Sequence, residues 1–146
     1  MLFDDVWPVE PFRALSIQQP WAELIMSGRK SIEVRTWWNE YRGPLWIHVG
    51  KKADAELCRM FDLSDAYRGG FVGRVTLSTI VQFDETRWNR WSDRHLSVGP
   101  MPAKAYGFVL KDPIRLREPV DGGGELGLFK ITDDLSRTLE ALLPRD

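Results

Sequence analysis

Between Gly28 and Arg35 the chain reads Gly-Arg-Lys-Ser-Ile-Glu-Val-Arg, which places an ammonium, a carboxylate and a guanidinium close together. In an extended segment Glu33 and Arg35 share a face. A carboxylate flanked by Lys30 and Arg35 is held ionised, which makes it a poor proton donor and suits it to ion pairing or to anchoring a ligand. Either Glu33 and Arg35 pair across a sheet and do no chemistry, or they frame a binding site. Lys51 and Lys52 add two cations just ahead of an expected helix start. There the macrodipole disfavours positive charge by roughly 0.3–1 kcal/mol each, so an anion such as a nucleic-acid phosphate would compensate. The alternative is a pair of solvated surface lysines.

Four tryptophans, Trp21, Trp37, Trp38 and Trp46, are interleaved with these charges. An exposed indole beside Lys or Arg stacks a single-stranded base. Trp37 and Trp38, at a strand end, are the ones expected to meet a ligand, while Trp21 is expected to pack. Gln18 and Gln19 carry amides able to read a base edge, although Gln19 could instead cap a helix. His48 and His95 are the only histidines. Neither has a nearby serine or cysteine in a recognised nucleophile motif, so no hydrolase triad is expected. His48 could act as a general acid or base, or simply pack and hydrogen-bond. A second basic and aromatic cluster, Arg87-Trp88-Asn89-Arg90-Trp91 with Arg94 and His95, reads as a helix packed down by its tryptophans, whose outward arginines could still extend a nucleic-acid surface.

These groups need elements to hold them. Ala14 to Ile17 reads as a strand, followed by a helix over 20–27 that starts at Pro20 and closes at a left-handed Gly28. From Ser31 the period becomes two, with Ile32 and Val34 toward the core and Glu33, Arg35 and Trp37 opposite. The segment 44–49 alternates likewise, with Leu45, Ile47 and Val49 on one side and Trp46 and His48 on the other. A hairpin through 39–43 would put Glu33, Arg35, Trp46 and His48 on one face. Gly50 is then expected to turn the chain into a helix over 54–61 capped by Asp54. Further strands are expected over 71–83, with Gly73 as a bulge or close-packing point, and over 106–110, 114–116 and 126–131. Residues 84–104 read as an excursion with a short helix, bordering a site. A leucine-striped helix over 133–143, capped by Thr132 or Asp133, should dock on the sheet. Many strands with few helices predict an α+β domain around a strongly curved sheet.

At 146 residues the chain is long enough for one domain with a real core. We expect a short extension over 1–13 and a single domain over 14–146. A net charge of −1 excludes a wholly basic nucleic-acid binder and requires any positive surface to be local. One cysteine, Cys58, excludes an intramolecular disulfide, and no Cys or His pattern suggests a metal or other cofactor. Residues 1–12 lack the basic start and apolar run of a signal peptide, and no apolar run reaches the roughly 20 residues of a membrane helix. A cytoplasmic protein with no membrane partner is the expectation.

The run from Leu15-Ser16-Ile17-Gln18-Gln19-Pro20-Trp21-Ala22, through Gly28, Lys30, Glu33 and Arg35, to Arg42-Gly43-Pro44-Leu45-Trp46-Ile47-His48 and Lys51-Lys52 resembles the ASCH domain. That PUA-like family carries the signature Gly-x-Lys-x-x-Glu-x-Arg, and the likeness extends from about Ala14 to Ile131. It is nearest to the coactivator-type members. The resemblance implies a PUA-like mixed β-barrel flanked by helices. It also implies a basic cleft for RNA or single-stranded DNA, lined by Lys30, Glu33 and Arg35 with Lys51 and Lys52 at its rim.

Other ASCH proteins are enzymes. Amidohydrolases acting on N4-acetylcytidine carry a nucleophilic threonine where this chain has Glu33, which speaks against that activity here. Ribonucleases of single-stranded RNA need only a base, an acid and cations, roles that Lys30, Glu33, His48 and Lys51 could fill. A pocket for a modified nucleotide or other nucleoside is a further alternative. The residues do not name protein partners.

Overall fold

A computed structural model describes residues 12–145, so most of the extension expected over 1–13 lies outside the described residues. The elements run β1 (Arg13–Gln19), α1 (Trp21–Met26), β2 (Ile32–Arg35), β3 (Gly43–Ala53), α2 (Ala55–Met60), β4 (Gly70–Gln82), α3 (Glu85–Arg90), α4 (Ser92–His95), β5 (Tyr106–Asp121), β6 (Leu128–Lys130) and α5 (Asp133–Ala141). The α+β class holds. Six strands form one mixed sheet in the order β2-β5-β4-β3-β1-β6, in which β1 and β3 are parallel.

Alternation along the strands separates two apolar faces. Leu15, Ile17, Leu45, Ile47, Val49, Leu77 and Phe108 fill the concave interior, into which α1 presses Ala22, Ile25 and Met26. Ala14, Trp46, Phe71, Leu116 and Phe129 form the opposite layer, covered by Leu135 and the fully buried Leu139 of α5. Helix α5 thus docks by its leucine stripe as expected, and the Thr132 hydroxyl accepts from the Leu135 N–H at 3.1 Å as its cap. Gly73 sits at a register shift between β4 and β5. A Cβ there would lie 2.3 Å from Met26 Cε and 2.5 Å from Ile114 O, so only glycine lets helix and strands approach this closely.

The sheet does not close into a barrel by hydrogen bonds. It curls instead. Four strand spacings separate β2 from β1, roughly 19 Å in a flat sheet, yet Arg35 Nη2 donates to Ser16 O at 2.9 Å. Strand β6 pairs only with Arg13, Ala14 and Leu15, so from Ser16 onward the outer edge of β1 faces β2 across an open seam.

Several expectations are corrected. β2 and β3 are not a hairpin: β2 pairs antiparallel with β5, Glu33 opposite Phe108, while β3 lies between β4 and β1. The connection between them is too long to impose a hairpin register, and it folds on itself through Asn39, Tyr41 and Arg42. Glu33 therefore shares the interior face with Phe108, whereas Trp46 and His48 point to the other side. Ile32 and Val34 face a third cluster with Phe83, Trp88 and Ala105, built by the excursion over 84–104. Gly50 does not turn the chain, because β3 continues through Lys51 and Lys52 to Ala53. The strands expected over 106–110 and 114–116 are one continuous β5 running through Asp112 and Pro113. Asp112 takes a left-handed φ of 53° and the ladder shifts register nearby, absorbing a proline that has no N–H to donate.

Candidate ligand cleft at the open seam

The motif charges sit at this seam. Gly28, with φ 84°, ends the turn after α1 and sends Lys30 inward. Lys30 and Glu33 are only 2% and 5% exposed. Lys30 Nζ donates to His95 O at 2.5 Å, stands 3.7 Å from Glu33 Oε1 and lies over the Trp21 ring at 4.8 Å. Burial pushes the Lys30 ammonium below its usual pKa, with Glu33 opposing that shift. Glu33 Oε2 also accepts from Arg35, at 3.1 Å from Nε and 3.0 Å from Nη2. The expected Glu33–Arg35 ion pair is present, and it is the clasp of the sheet, since the same guanidinium reaches Ser16 O.

Behind Lys30, His95 is buried and stacked on Trp88 with centroids 4.1 Å apart. Its Nδ1 accepts from the Ser97 N–H at 3.0 Å, so Nε2 carries the proton and donates to Trp88 O at 2.8 Å. Burial lowers the His95 pKa, and the charge of Lys30 adds to the effect. The second basic cluster is thus structural at Trp88, while Arg87 and Arg94 lie over the Trp91 ring.

A cleft of about 840 Å³ opens along the seam and wraps round the free edge of β1. Glu33, Arg35 and Trp21 line one side, Ser16 and His48 the other, with Gln18, Lys51 and Lys52 at the rim. The wrapping brings His48 into the same cleft as Glu33 although the two lie on opposite faces of the sheet. Lys30 lies behind Trp21, where a smaller cavity of about 280 Å³ extends toward Trp88 and Val98. Gln18 is exposed. Gln19 is spent on structure, its Oε1 accepting from the Glu23 N–H at 2.8 Å and its Nε2 donating to Tyr67 O at 2.9 Å.

Trp21 packs against the core, as expected, and edge-on against Phe61 at 5.8 Å. Trp21 lines the cleft, whereas Trp37 packs edge-on against Phe108 at 5.1 Å and is not among the lining residues. Trp38 is exposed under Arg42, away from the cleft, and Trp46 is wholly buried on the far face. No anion is needed at the start of α2, because the Asp54 carboxylate accepts from the Leu57 N–H at 3.0 Å and supplies the negative charge itself.

Sequence reasoning missed the far wall. Gly122, Gly123, Gly124, Glu125, Leu126 and Gly127 line the cleft between β5 and β6, with Leu126 98% exposed at its mouth. Three successive glycines were the available signal. A Cβ on Gly124 would fall 2.6 Å from His48 Nδ1, so the backbone lies directly against that ring. Ser16 was also missed as a partner of His48, because only the parallel β1–β3 register sets them side by side. Among the described residues no group of three His, Cys, Asp or Glu side chains could hold a metal ion, and no helix is long and apolar enough to cross a membrane.

Comparison with known proteins agrees with this architecture. The ASCH domain family profile matches residues 15–133. Activating signal cointegrator 1 of Homo sapiens is 44% identical over 50 residues, covering 34% of this chain and 8% of that protein. Its Mus musculus counterpart is 37% identical over 67 residues, covering 45% and 10%. The match therefore spans a tenth or less of these curated relatives' length. The crystal structure of an ASCH protein from Zymomonas mobilis superposes with a TM-score of 0.69 at 19% identity, over 92% of this chain and 97% of that one. A mutant of the same protein gives 0.67, over 92% and 100%. These structures share the fold.

Proposed function

The chain belongs to the ASCH domain family, and from that premise we propose that it binds single-stranded nucleic acid, RNA or DNA, in the cleft at the seam. The observation that carries this reading is the pair Lys51 and Lys52, exposed on the rim and without a carboxylate partner among the described residues. Both are available to phosphates, beside an indole wall at Trp21. A base stacks on Trp21, the Gln18 amide reads its edge, and Arg35 with Glu33 keeps the seam at the right width. Net charge does not oppose this, because the positive surface is local.

The test is binding of a fluorescent single-stranded RNA, a matching DNA and a duplex across a salt series. Affinity for the single strands should fall with salt, with a log–log slope of about −0.7 per phosphate neutralised. Replacing both lysines, Lys51→Gln with Lys52→Gln, should weaken binding and flatten the slope by about 0.7 for each lysine lost. Affinity that ignores salt, or a slope unchanged in the double variant, would overturn the proposal.

A further inference from the structure

Ser16 and His48 stand directly opposite each other on the parallel strands β1 and β3. Ser16 Oγ lies 2.8 Å from His48 Nδ1, and His48 Nε2 lies 2.8 Å from Gly122 O. A carbonyl oxygen can only accept, so Nε2 carries the ring proton and Nδ1 of the neutral ring is a bare acceptor. The Ser16 hydroxyl must then donate to it. The imidazole is 3% exposed and its orientation is fixed by Phe71 and Phe129, whose rings meet it edge-on at 4.9 and 6.1 Å. Ser16, by contrast, is only half-buried and lines the cleft.

Two glycines let the backbone come close to this hydroxyl. A Cβ on Gly124 would lie 3.1 Å from Ser16 Oγ and one on Gly50 would lie 3.7 Å away. The backbone N–H groups of Gly123 and Gly124 take no backbone partner among the described residues. A hydroxyl hydrogen-bonded to an oriented base, with an acceptor fixing that base's tautomer, is the nucleophile–base half of an acyl-transfer site.

We propose that Ser16 and His48 form a nucleophile–base pair that hydrolyses carboxylic esters of anionic alcohols, the anion lying toward Lys51 and Lys52. Ser16 Oγ bonds to the acyl carbon while His48 Nδ1 takes its proton, and the carbonyl oxygen becomes an oxyanion. Collapse breaks the ester C–O bond, and the imidazolium returns its proton to the leaving alkoxide. Water then attacks the acyl-serine with His48 again as base, releasing the carboxylic acid and restoring Ser16. No oxidant, reductant or metal is required. Gly122 O acts through His48 as a positioning group and touches no substrate.

The experiment uses the full chain without nucleic acid, so its outcome is separate from that of the binding proposal. The protein is treated with a fluorophosphonate, which phosphonylates activated serines, and is assayed separately with p-nitrophenyl acetate. The expected results are a covalent adduct on the peptide containing Ser16, and ester hydrolysis lost by about a hundredfold or more in both Ser16→Ala and His48→Gln. Adduct formation on the wild-type chain needs no variant to fold. An unlabelled Ser16, or Ser16→Ala hydrolysing as fast as the wild type, would overturn the proposal.

Discussion

Lys30, Glu33 and Arg35 in the motif and Lys51 and Lys52 on the rim border the same seam under opposite conditions. Lys30 and Glu33 are almost fully buried and their polar atoms are engaged by His95, Arg35 and each other. Lys51 and Lys52 are exposed. A charge taken out of water must be bound by the protein or it is prohibitively costly, so the buried set has little capacity left for a ligand. An exposed lysine keeps its counterions until a phosphate displaces them. The residues that define the family signature thus serve mainly to hold the curled sheet at its gap. On the proposed reading, the affinity for nucleic acid comes from Lys51 and Lys52 instead.

The largest test of this contrast is Glu33→Ala, which strands two cations at the seam. It should cost about 3–5 kcal/mol of stability in urea denaturation, and a loss below about 1 kcal/mol would remove the distinction between the two sets. Next is pH. Because burial holds the His95 imidazole below its ordinary pKa of 6.5, the unfolded chain takes up that proton first as pH falls. Stability should therefore decline below pH 6.5, by up to about 1.4 kcal/mol per unit for this one group, until His95 protonates in the folded state. His95→Asn should flatten this decline, and equal slopes in both proteins would show that the region behind Lys30 is not sensitive in this way. The smallest effect belongs to the rim, where the Lys51→Gln and Lys52→Gln double variant should alter stability by less than about 0.5 kcal/mol while weakening nucleic-acid binding. A larger stability change would mean that the rim, too, is structural.

The local signals were legible. Gly28 closes the turn after α1, Asp54 and Thr132 cap their helices, and the leucines of α5 pack as their spacing requires. Each depends on residues a few positions apart, where propensity and hydrogen bonding are strong guides. The Glu33–Arg35 pair follows for the same reason. What failed was pairing at a distance. An assumed hairpin between β2 and β3 carried the wrong face assignment for His48 and Trp46, because a change of partner strand changes which side chains meet. The same error concealed Ser16, which meets His48 only through a parallel pairing 32 residues apart. Trp21 packs as expected yet also borders the cleft, while Trp37 packs on Phe108.

By itself the sequence determined the α+β class, the family signature and the helix caps, since these rest on residue type and short-range spacing. Only the tertiary structure decided that the sheet curls without closing, that the motif is its clasp, and that a glycine loop from the other end of the chain completes the cleft over Ser16 and His48. The reason is physical. Side-chain alternation tells which residues share a face of a strand, but strand order and curvature arise from the packing of the whole core, and they alone bring distant faces together.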